Sequence, residues 1–309
     1  MINRALIRLK VIQLLYAYYQ NKGKSVEAME KELLLSLSKA YDLYNYLLML
    51  LVEVTKYARQ VIERQEDLNA ITHNATSINH RFVDNQFIAQ LEVNKQLLDF
   101  KSEKKLSWSD DTEYIKKLYQ TIIENNDYRN YMNESSTDYS MDRELWRRLY
   151  KVIISQDENL DNLLEEKNLY WNDDKHIVDT FVLKTIKRFE ASAGADQELI
   201  PEFKDEEDRE FAIRLLRRSI VNEEYYRSLI AMNVKNWEVN RLALMDLLIM
   251  QMAMAEILSF PEIPVHVTIN EYLEMAKYYS TPKSPKYING VLDHICRKLH
   301  TEGKLLKQI

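Results

Sequence analysis

Two lysines and a tyrosine stand close together near the end of the chain, where prolines interrupt a helical pattern. The stretch INEYLEMAKYYSTPKSPKYINGVLD (269–293) contains Lys283, Lys286 and Tyr287 at this interruption. A helix N-terminus exposes unpaired N–H groups that suit a phosphate, and lysines add positive charge. An aromatic ring can stack on an unpaired base, a contact worth about 1–3 kcal/mol. These residues could contact single-stranded nucleic acid, but taken alone they are better explained as an exposed loop whose tyrosine covers the core.

The charge of the chain is unevenly distributed. The net charge is -6, yet residues 1–24 carry five basic side chains and no acidic one. Residues 275–309 carry seven basic side chains and two acidic ones, so the middle of the chain is strongly acidic. A local positive patch is enough to bind phosphates, because salt screens distant charges within about 10 Å. Charge alone favours the simpler interpretation that both ends are solvated.

The residue inventory argues against catalysis and against a cofactor. The four glycines are too scattered to form a phosphate-binding or S-adenosylmethionine loop. The six histidines show no metal-ligand spacing, and Cys296 is the single cysteine, best interpreted as a buried structural thiol. No apolar stretch reaches the roughly 18 residues of a membrane span. We therefore expect a cytoplasmic, non-enzymatic protein without metal or cofactor.

Hydrophobic spacing predicts helices almost throughout, and no segment shows strand alternation. Asn3 is a candidate N-cap for a first helix to about residue 20, and Ser25 caps a long helix or helix pair. Residues 69–80 and the stretch SAGADQELIPEFKDEED are predicted to lie outside helices. The sequence predicts an all-α protein. The other helices are predicted at about 82–100, 111–125, 141–155, 158–168, 174–190, 206–232, 237–258, 266–280 and 285–300.

An internal repeat emerges at an offset of 66 residues, where 142–190 faces 208–256 without a gap. Asp-Arg-Glu opens both segments, and Trp171 meets Trp237 after a polar link. Two amphipathic helical segments could share such a pattern by chance, but the tryptophan in register favours common descent.

Several stretches resemble the NusB family of transcription antitermination factors. They are RLKVIQLLY near the N-terminus, then NWEVNRLALMDLLIMQMAMAEIL, IPVHVTINEYLEMAKYYS and KSPKYINGVLDHI in family order. The resemblance covers about 1–22 and 205–309. It implies a NusB-like helical bundle made of the first helix (1–22) and the C-terminal third (205–309), with residues 25–204 as a helical insertion. Gln251 stands where the family commonly has arginine.

The resemblance also implies a function and a set of contact residues. In the NusB family the first helix and the proline loop contact boxA-type single-stranded RNA, which places Arg4, Arg8, Lys283, Lys286 and Tyr287 at the RNA. The implied partners are the ribosomal protein NusE and the transcription elongation complex. Asp246 matches an acidic family position on the NusE side.

The motif has a physical interpretation besides the family one. Pro264 separates two helices, and Thr268 or Asn270 is a candidate cap for the second. A glycine inside a helix costs about 1 kcal/mol relative to alanine, so Gly290 suggests close helix packing. The predicted core residues are Ile269, Leu273, Ile288, Val291, Leu292 and Ile295.

Two other functions remain open. A NusB-like domain also precedes rRNA cytosine methyltransferases, but the chain has no glycine-rich cofactor loop and no Pro-Cys nucleophile. A helical adaptor that has lost RNA binding is the second alternative.

Overall fold

The computed structural model describes residues 1–21, 25–73, 77–136, 138–171, 173–234 and 242–307. Within these ranges the chain is all-α, as predicted, and short 3-10 segments connect several helices. Trp237 of the proposed repeat lies outside the described residues. Among the described residues no helix is both long and apolar enough to cross a bilayer. The helices are α1 (Arg4–Asn21), α2 (Val26–Ile71), α3 (Gln86–Glu92), α4 (Lys95–Lys104), α5 (Thr112–Glu124), α6 (Asn126–Asn133), α7 (Tyr139–Val152), α8 (Glu158–Lys167), α9 (Lys175–Arg188), α10 (Glu206–Val221), α11 (Glu223–Asn233), α12 (Leu244–Ser259), α13 (Val265–Tyr279) and α14 (Ser284–Thr301).

Polar side chains start the helices where the sequence predicts them. Asn3 Oδ1 accepts a hydrogen bond from the Leu6 amide at 2.9 Å, and Ser25 Oγ accepts one from Ala28 at 3.2 Å. Both caps are confirmed. The long segment after Ser25 is a single helix that runs to Ile71, so it extends into the predicted loop.

Two predicted helices are each divided in two. Asn94 interrupts the segment predicted at 82–100, because its side chain accepts from the Leu97 amide and starts α4 anew. The segment predicted at 206–232 breaks at Asn222, between α10 and α11. The short helix α6 was not predicted from the hydrophobic spacing. Helix breaks made by one polar residue leave little trace in that spacing.

The chain forms two compact units. Unit 1 comprises Met1 and residues 39–202, and unit 2 comprises residues 2–38 and 203–309. The division within α2 differs from the insertion start predicted at residue 25. Two hydrogen bonds of 2.6 and 2.9 Å join Arg217 on α10 to Glu30, and so tie the first turns of α2 to unit 2.

Stacked aromatic rings fill the core of unit 1. Trp108 stacks on Tyr46 with ring centroids 4.1 Å apart, and Trp171 stacks on the same tyrosine at 5.3 Å. The Trp108 indole N–H also donates to the backbone carbonyl of Tyr46 at 3.0 Å. The Trp171 indole N–H likewise donates to the backbone carbonyl of Lys39, at 2.8 Å.

The 66-residue offset relates three helices of unit 1 to three helices of unit 2. Helices α7, α8 and α9 begin and end within a few residues of α10, α11 and α12 when shifted by 66. Some equivalent positions are buried in both sets, such as Leu149 with Leu215 and Val182 with Leu248. A repeated arrangement of three helices would account for the similar helix bounds and for these shared buried positions.

Helix α12 is the centre of unit 2. Every residue from Asp246 to Ile257 is buried, and α12 contacts α1, α10, α11, α13 and α14. A helix that is apolar on all sides needs neighbours on all sides, which explains its position. Because α13 and α14 pack on this central helix, the bend between them has a fixed place.

Candidate nucleic-acid interface

A buried carboxylate holds the bend between α13 and α14. Asp246 on α12 is 8% exposed and accepts hydrogen bonds from the hydroxyls of Ser280 and Ser284, the latter at 2.9 Å. Pro285 lies in the first turn of α14, where a missing N–H costs nothing. The bend is thus anchored to the central helix of unit 2.

A cleft of about 840 Å³ opens beside this bend. Lys283 and Lys286 on its wall are exposed, and neither forms an ion pair with a described residue. None of the described residues that line the cleft carries a carboxylate, and the two lysines bring positive charge to its wall. The lining residues are Asn233, Pro282, Lys283, Lys286, Tyr287, Gly290, Val291 and His294.

Tyr287 is half-buried in the wall of the cleft. Its hydroxyl is buried and has no hydrogen-bond partner among the described residues. Burial, together with the nearby Asp246 carboxylate, raises the pKa of Tyr287, so the phenol stays neutral. The exposed part of the side chain is mainly the ring, the part that can stack on a base.

Two interpretations of the C-terminal motif are wrong. Gly290 is exposed, and no described heavy atom lies within 4 Å of a Cβ added there, so no helix packs closely on it. Asn270 is exposed in the second turn of α13, which begins at Val265 after Pro264, so it caps nothing. Of the predicted core residues, five are buried and Leu273 is half-buried.

Arg8 is an interior residue of unit 2. It is 3% exposed, and its guanidinium donates two hydrogen bonds of 2.8 Å to the carboxylate of Glu256. A third, of 3.0 Å, goes to Glu271 on α13. Thr268 and Tyr272 donate to the same Glu256 carboxylate at 2.9 and 3.0 Å. The hydrogen bonds and negative charge of Glu256 raise the pKa of Arg8 against the opposing effect of burial.

The N-terminal basic run makes little positive surface in the described structure. Arg4 lies 3.5 Å from the Asp208 carboxylate and 5.0 Å from the centroid of the Phe211 ring, with a third of its side chain exposed. Lys10 is buried, and Lys22 and Lys24 lie outside the described residues. Neither Arg4 nor Arg8 lines the cleft. The assignment of Arg4 and Arg8 to RNA contact stays a prediction. The guanidinium of Arg8 is buried in this structure and is therefore not accessible to RNA.

Two side-chain hydrogen bonds connect α1 to α13. Arg8 contacts Glu271, whereas Gln13 donates to the hydroxyl of Tyr279 at 3.3 Å. From Glu271 to Tyr279 is about 12 Å along a helix axis. The α1 residue that reaches the bend is therefore Gln13, one helical turn or more beyond the two arginines.

Two further residues that the sequence analysis singles out, Asp246 and Gln251, are also buried. Asp246, predicted to meet NusE, uses both carboxylate oxygens within the bend, and its partner role stays a prediction. Gln251, which replaces a common family arginine, is fully buried and donates to Ser219 O at 2.8 Å and to the Tyr19 hydroxyl at 2.9 Å. That replacement changes the core rather than the surface.

Two cleft residues were missed from the sequence. His294 lies one turn beyond Gly290 on the same face of α14, so helical spacing could have found it. Asn233 comes from the end of α11, and nothing in the local sequence links it to the bend. Only packing in three dimensions brings it there.

The expectation of a buried structural thiol is confirmed. Cys296 is buried in α14, and burial raises the pKa of its thiol to about 11. Within the part of the chain that the structure describes, no three histidine, cysteine or carboxylate side chains are grouped to hold a metal.

Comparison with known proteins gives one family. The NusB family model matches residues 177–297. The "Transcription antitermination protein NusB" of Salinibacter ruber is 38% identical over 132 residues, which cover 41% of this chain and 82% of that protein. The protein of the same name from Chloroherpeton thalassium is 38% identical over 111 residues, or 35% of this chain and 53% of that protein.

A solved structure titled "T. maritima NusB, P3121, Form 2" is also similar. Its identity with this chain is 27%, and the match covers 49% of this chain and 91% of that one. The TM-score is 0.30, which supports no conclusion about shared geometry.

Proposed function

The chain belongs to the NusB family, and from this premise we propose that it is a non-enzymatic transcription antitermination factor that binds boxA-type single-stranded RNA. The relatives to which it is similar are named transcription antitermination proteins. The proposed setting is the cytoplasm, during transcription of rRNA operons, with NusE as the protein partner.

The observation that carries the proposal is the cleft beside the α13–α14 bend. It presents a tyrosine ring and two exposed lysines that form no ion pair with a described residue, and none of its described lining residues carries a carboxylate. Lysine ammonium groups attract phosphates whatever the base sequence, and an aromatic ring can stack on the face of any base. Such a set of groups suits an unpaired strand better than a duplex, whose bases have no free face.

The proposed mechanism is binding without a chemical step. Lys283 and Lys286 neutralise phosphates at the start of α14, where the helix dipole adds positive potential. Tyr287 stacks on one base. Asp246 acts through the bend, because its hydrogen bonds to Ser280 and Ser284 fix the position of the lysines. The bound RNA is then held to the elongating polymerase complex.

NusE is proposed as a partner on charge grounds. The chain has a net charge of -6, and a basic ribosomal protein complements it. Asp246, the residue predicted to meet NusE, is 8% exposed and uses both carboxylate oxygens within the bend, so it offers little contact surface.

The test is equilibrium binding of boxA RNA and a scrambled RNA across a salt series, with and without NusE. We expect Lys286→Ala to reduce the slope of log K against log salt by about 0.7, the value for one phosphate contact on a single strand. Tyr287→Ala should weaken binding by about 5- to 150-fold, which corresponds to about 1–3 kcal/mol. Lys298→Ala, an exposed lysine of the same helix outside the cleft, is the matched control.

The outcomes separate the alternatives. Salt-dependent binding that prefers boxA, and that Lys298→Ala leaves intact, supports the proposal. No RNA binding in either condition, with NusE still captured, favours a helical adaptor. Binding of S-adenosylmethionine would favour the methyltransferase-related alternative.

A further inference from the structure

Helix α9 of unit 1 has one face exposed to solvent, and cationic side chains dominate that face. Lys184, Lys187 and Arg188 are exposed, and none of them forms an ion pair with a described residue. These three residues form the basic row of α9. The single acidic residue of the helix, Asp179, is buried and accepts a hydrogen bond of 2.6 Å from the Tyr150 hydroxyl. The helix therefore offers no exposed carboxylate of its own to neutralise the row.

The internal repeat sets this face apart from its counterpart in unit 2. At the offset of 66 residues, the basic row corresponds to Met250, Ala253 and Met254 of α12, which are all fully buried. In unit 2, both α13 and α14 pack on α12. In unit 1, only a short 3-10 segment (Ala191–Asp196) lies between α9 and Glu206, where α10 begins. The face that is apolar and buried in unit 2 is thus cationic and exposed in unit 1.

The basic row also differs from the rest of unit 1. Residues 39–202 carry 21 basic and 30 acidic side chains, so this part of the chain is acidic as a whole. On α5 the exposed Lys116 and Lys117 share their helix face with the exposed Glu113, three and four positions away. The acidic residue that follows the basic row, Glu190, lies beyond the end of α9 and forms no ion pair with it. Positive charge is therefore concentrated on this one face.

The helix dipole explains only part of the row. Cations stabilise the C-terminal end of a helix, which accounts for Lys187 and Arg188 in the last turn of α9. Lys184 lies before that turn, where the effect of the dipole has faded. A ligand with negative charge accounts for all three residues.

The chemistry of the row favours a nucleic acid strand over a protein. The other exposed residues of α9 are His176 and Thr180, and its apolar residues are buried or half-buried. Protein interfaces have apolar and aromatic residues at their centre and are depleted in lysine. Phosphates require only cations, and the row places three within about 6 Å along the helix axis. Contacts to phosphates alone carry no base preference.

We infer that the basic row of α9 is a second RNA contact, which binds the sugar–phosphate backbone of single-stranded RNA without base preference. This inference rests on the proposed function, which brings the chain to a transcript, and it gives unit 1 a task of its own. The contact is distinct from the cleft beside α14, because it lies in unit 1 and uses charge alone. Its ligand is transcript outside boxA.

The test is equilibrium binding of an oligouridylate without boxA to the full chain across a salt series. The triple variant Lys184→Gln, Lys187→Gln and Arg188→Gln should lower the slope of log K against log salt by about 2, since each phosphate contact on a single strand contributes about 0.7. Over a fourfold rise in salt, the wild type should therefore lose about 18-fold more affinity than this variant. Lys184→Gln alone should lower the slope by about 0.7 while the last turn of α9 stays intact.

The matched control removes the same charges from another exposed surface of unit 1. It combines Lys116→Gln, Lys117→Gln and Arg129→Gln, so that two lysines and one arginine are again replaced. The control should keep the wild-type slope. Circular dichroism should show wild-type helicity in both triple variants, because all six side chains are exposed.

A lower slope in the α9 variant but not in the control supports the inference. Equal slopes in the two triple variants overturn it, as does a wild-type chain that binds no oligouridylate at low salt. Unchanged RNA binding together with weaker binding of duplex DNA or of polyglutamate also overturns it, and assigns the row to DNA or to an acidic protein. Because the probe lacks boxA, failure of the proposed function is a separate result, namely no preference for boxA over scrambled RNA.

Discussion

Removing the Arg8 guanidinium should destabilise unit 2 severely. The side chain is 3% exposed and supplies two of the hydrogen bonds to Glu256, which is itself fully buried. In Arg8→Met the methionine fills much of the same space but leaves the Glu256 carboxylate without its counter-charge. Thr268 and Tyr272 still donate to that carboxylate, yet neither carries a positive charge.

The expected loss is about 3–5 kcal/mol, the usual cost of leaving one partner of a buried ion pair uncompensated. The guanidinium also lies 5.5 Å from the Phe211 ring centroid, a cation–π contact worth about 0.5–1 kcal/mol. Because domains unfold with only about 5–15 kcal/mol, this is a large share of the total. Arg4→Met is the matched control on the same helix, since its partly exposed ion pair to Asp208 should contribute about 1 kcal/mol or less.

Urea unfolding followed by circular dichroism gives the overall loss. Hydrogen exchange with mass spectrometry assigns it, because two compact units can open separately. Faster exchange is expected in α12 and α13, with unit 1 unchanged. The double variant Arg8→Met with Glu256→Gln removes both charges and keeps an amide oxygen as acceptor, so it should be more stable than Arg8→Met alone. Equal stability of Arg8→Met and Arg4→Met would refute the interior role of Arg8.

Three further predictions concern the bend, the thiol and a helix cap. Asp246→Ala should speed amide exchange over residues 281–288, since both serine hydroxyls lose their acceptor, whereas Glu274→Gln on the exposed face of α13 should not. Cys296 should react with a disulfide reagent at pH 8 only after unfolding, because burial and a pKa of about 11 keep the native thiol protonated; rapid native reaction would contradict this. Asn94→Ala should cost about 0.5–2 kcal/mol in urea unfolding, with the loss confined to unit 1, because Leu97 loses its cap; an unchanged midpoint would exclude the capping role.

The helical fold was predictable because its signals are local. Helix bounds at α5, α8 and α9 agree with hydrophobic spacing within a few residues, and the caps at Asn3 and Ser25 follow from side-chain chemistry. What spacing could not predict were the breaks at Asn94 and Asn222. The Asn94 side chain accepts a backbone hydrogen bond without disturbing the apolar periodicity. The Asn222 side chain makes no such cap and donates instead to the hydroxyl of Tyr226.

The candidate site was predictable only where its residues are neighbours in sequence. Lys283, Lys286 and Tyr287 follow one bend and do line one cleft. Arg8 could not be distinguished from a surface arginine, because its partner Glu256 lies 248 residues away. For Gly290 the hydrophobic spacing predicts a position inside a helix but not its surroundings, and the close packing expected there is open space in the described structure.

The most direct test of the central claim is photo-crosslinking of thiouridine-substituted boxA RNA to the full chain in the presence of NusE, followed by mass spectrometry of the peptides. We expect cross-links on residues 282–294, which comprise the bend and the first part of α14. RNA that binds with boxA preference but cross-links only to unit 1 or to α1 would contradict it.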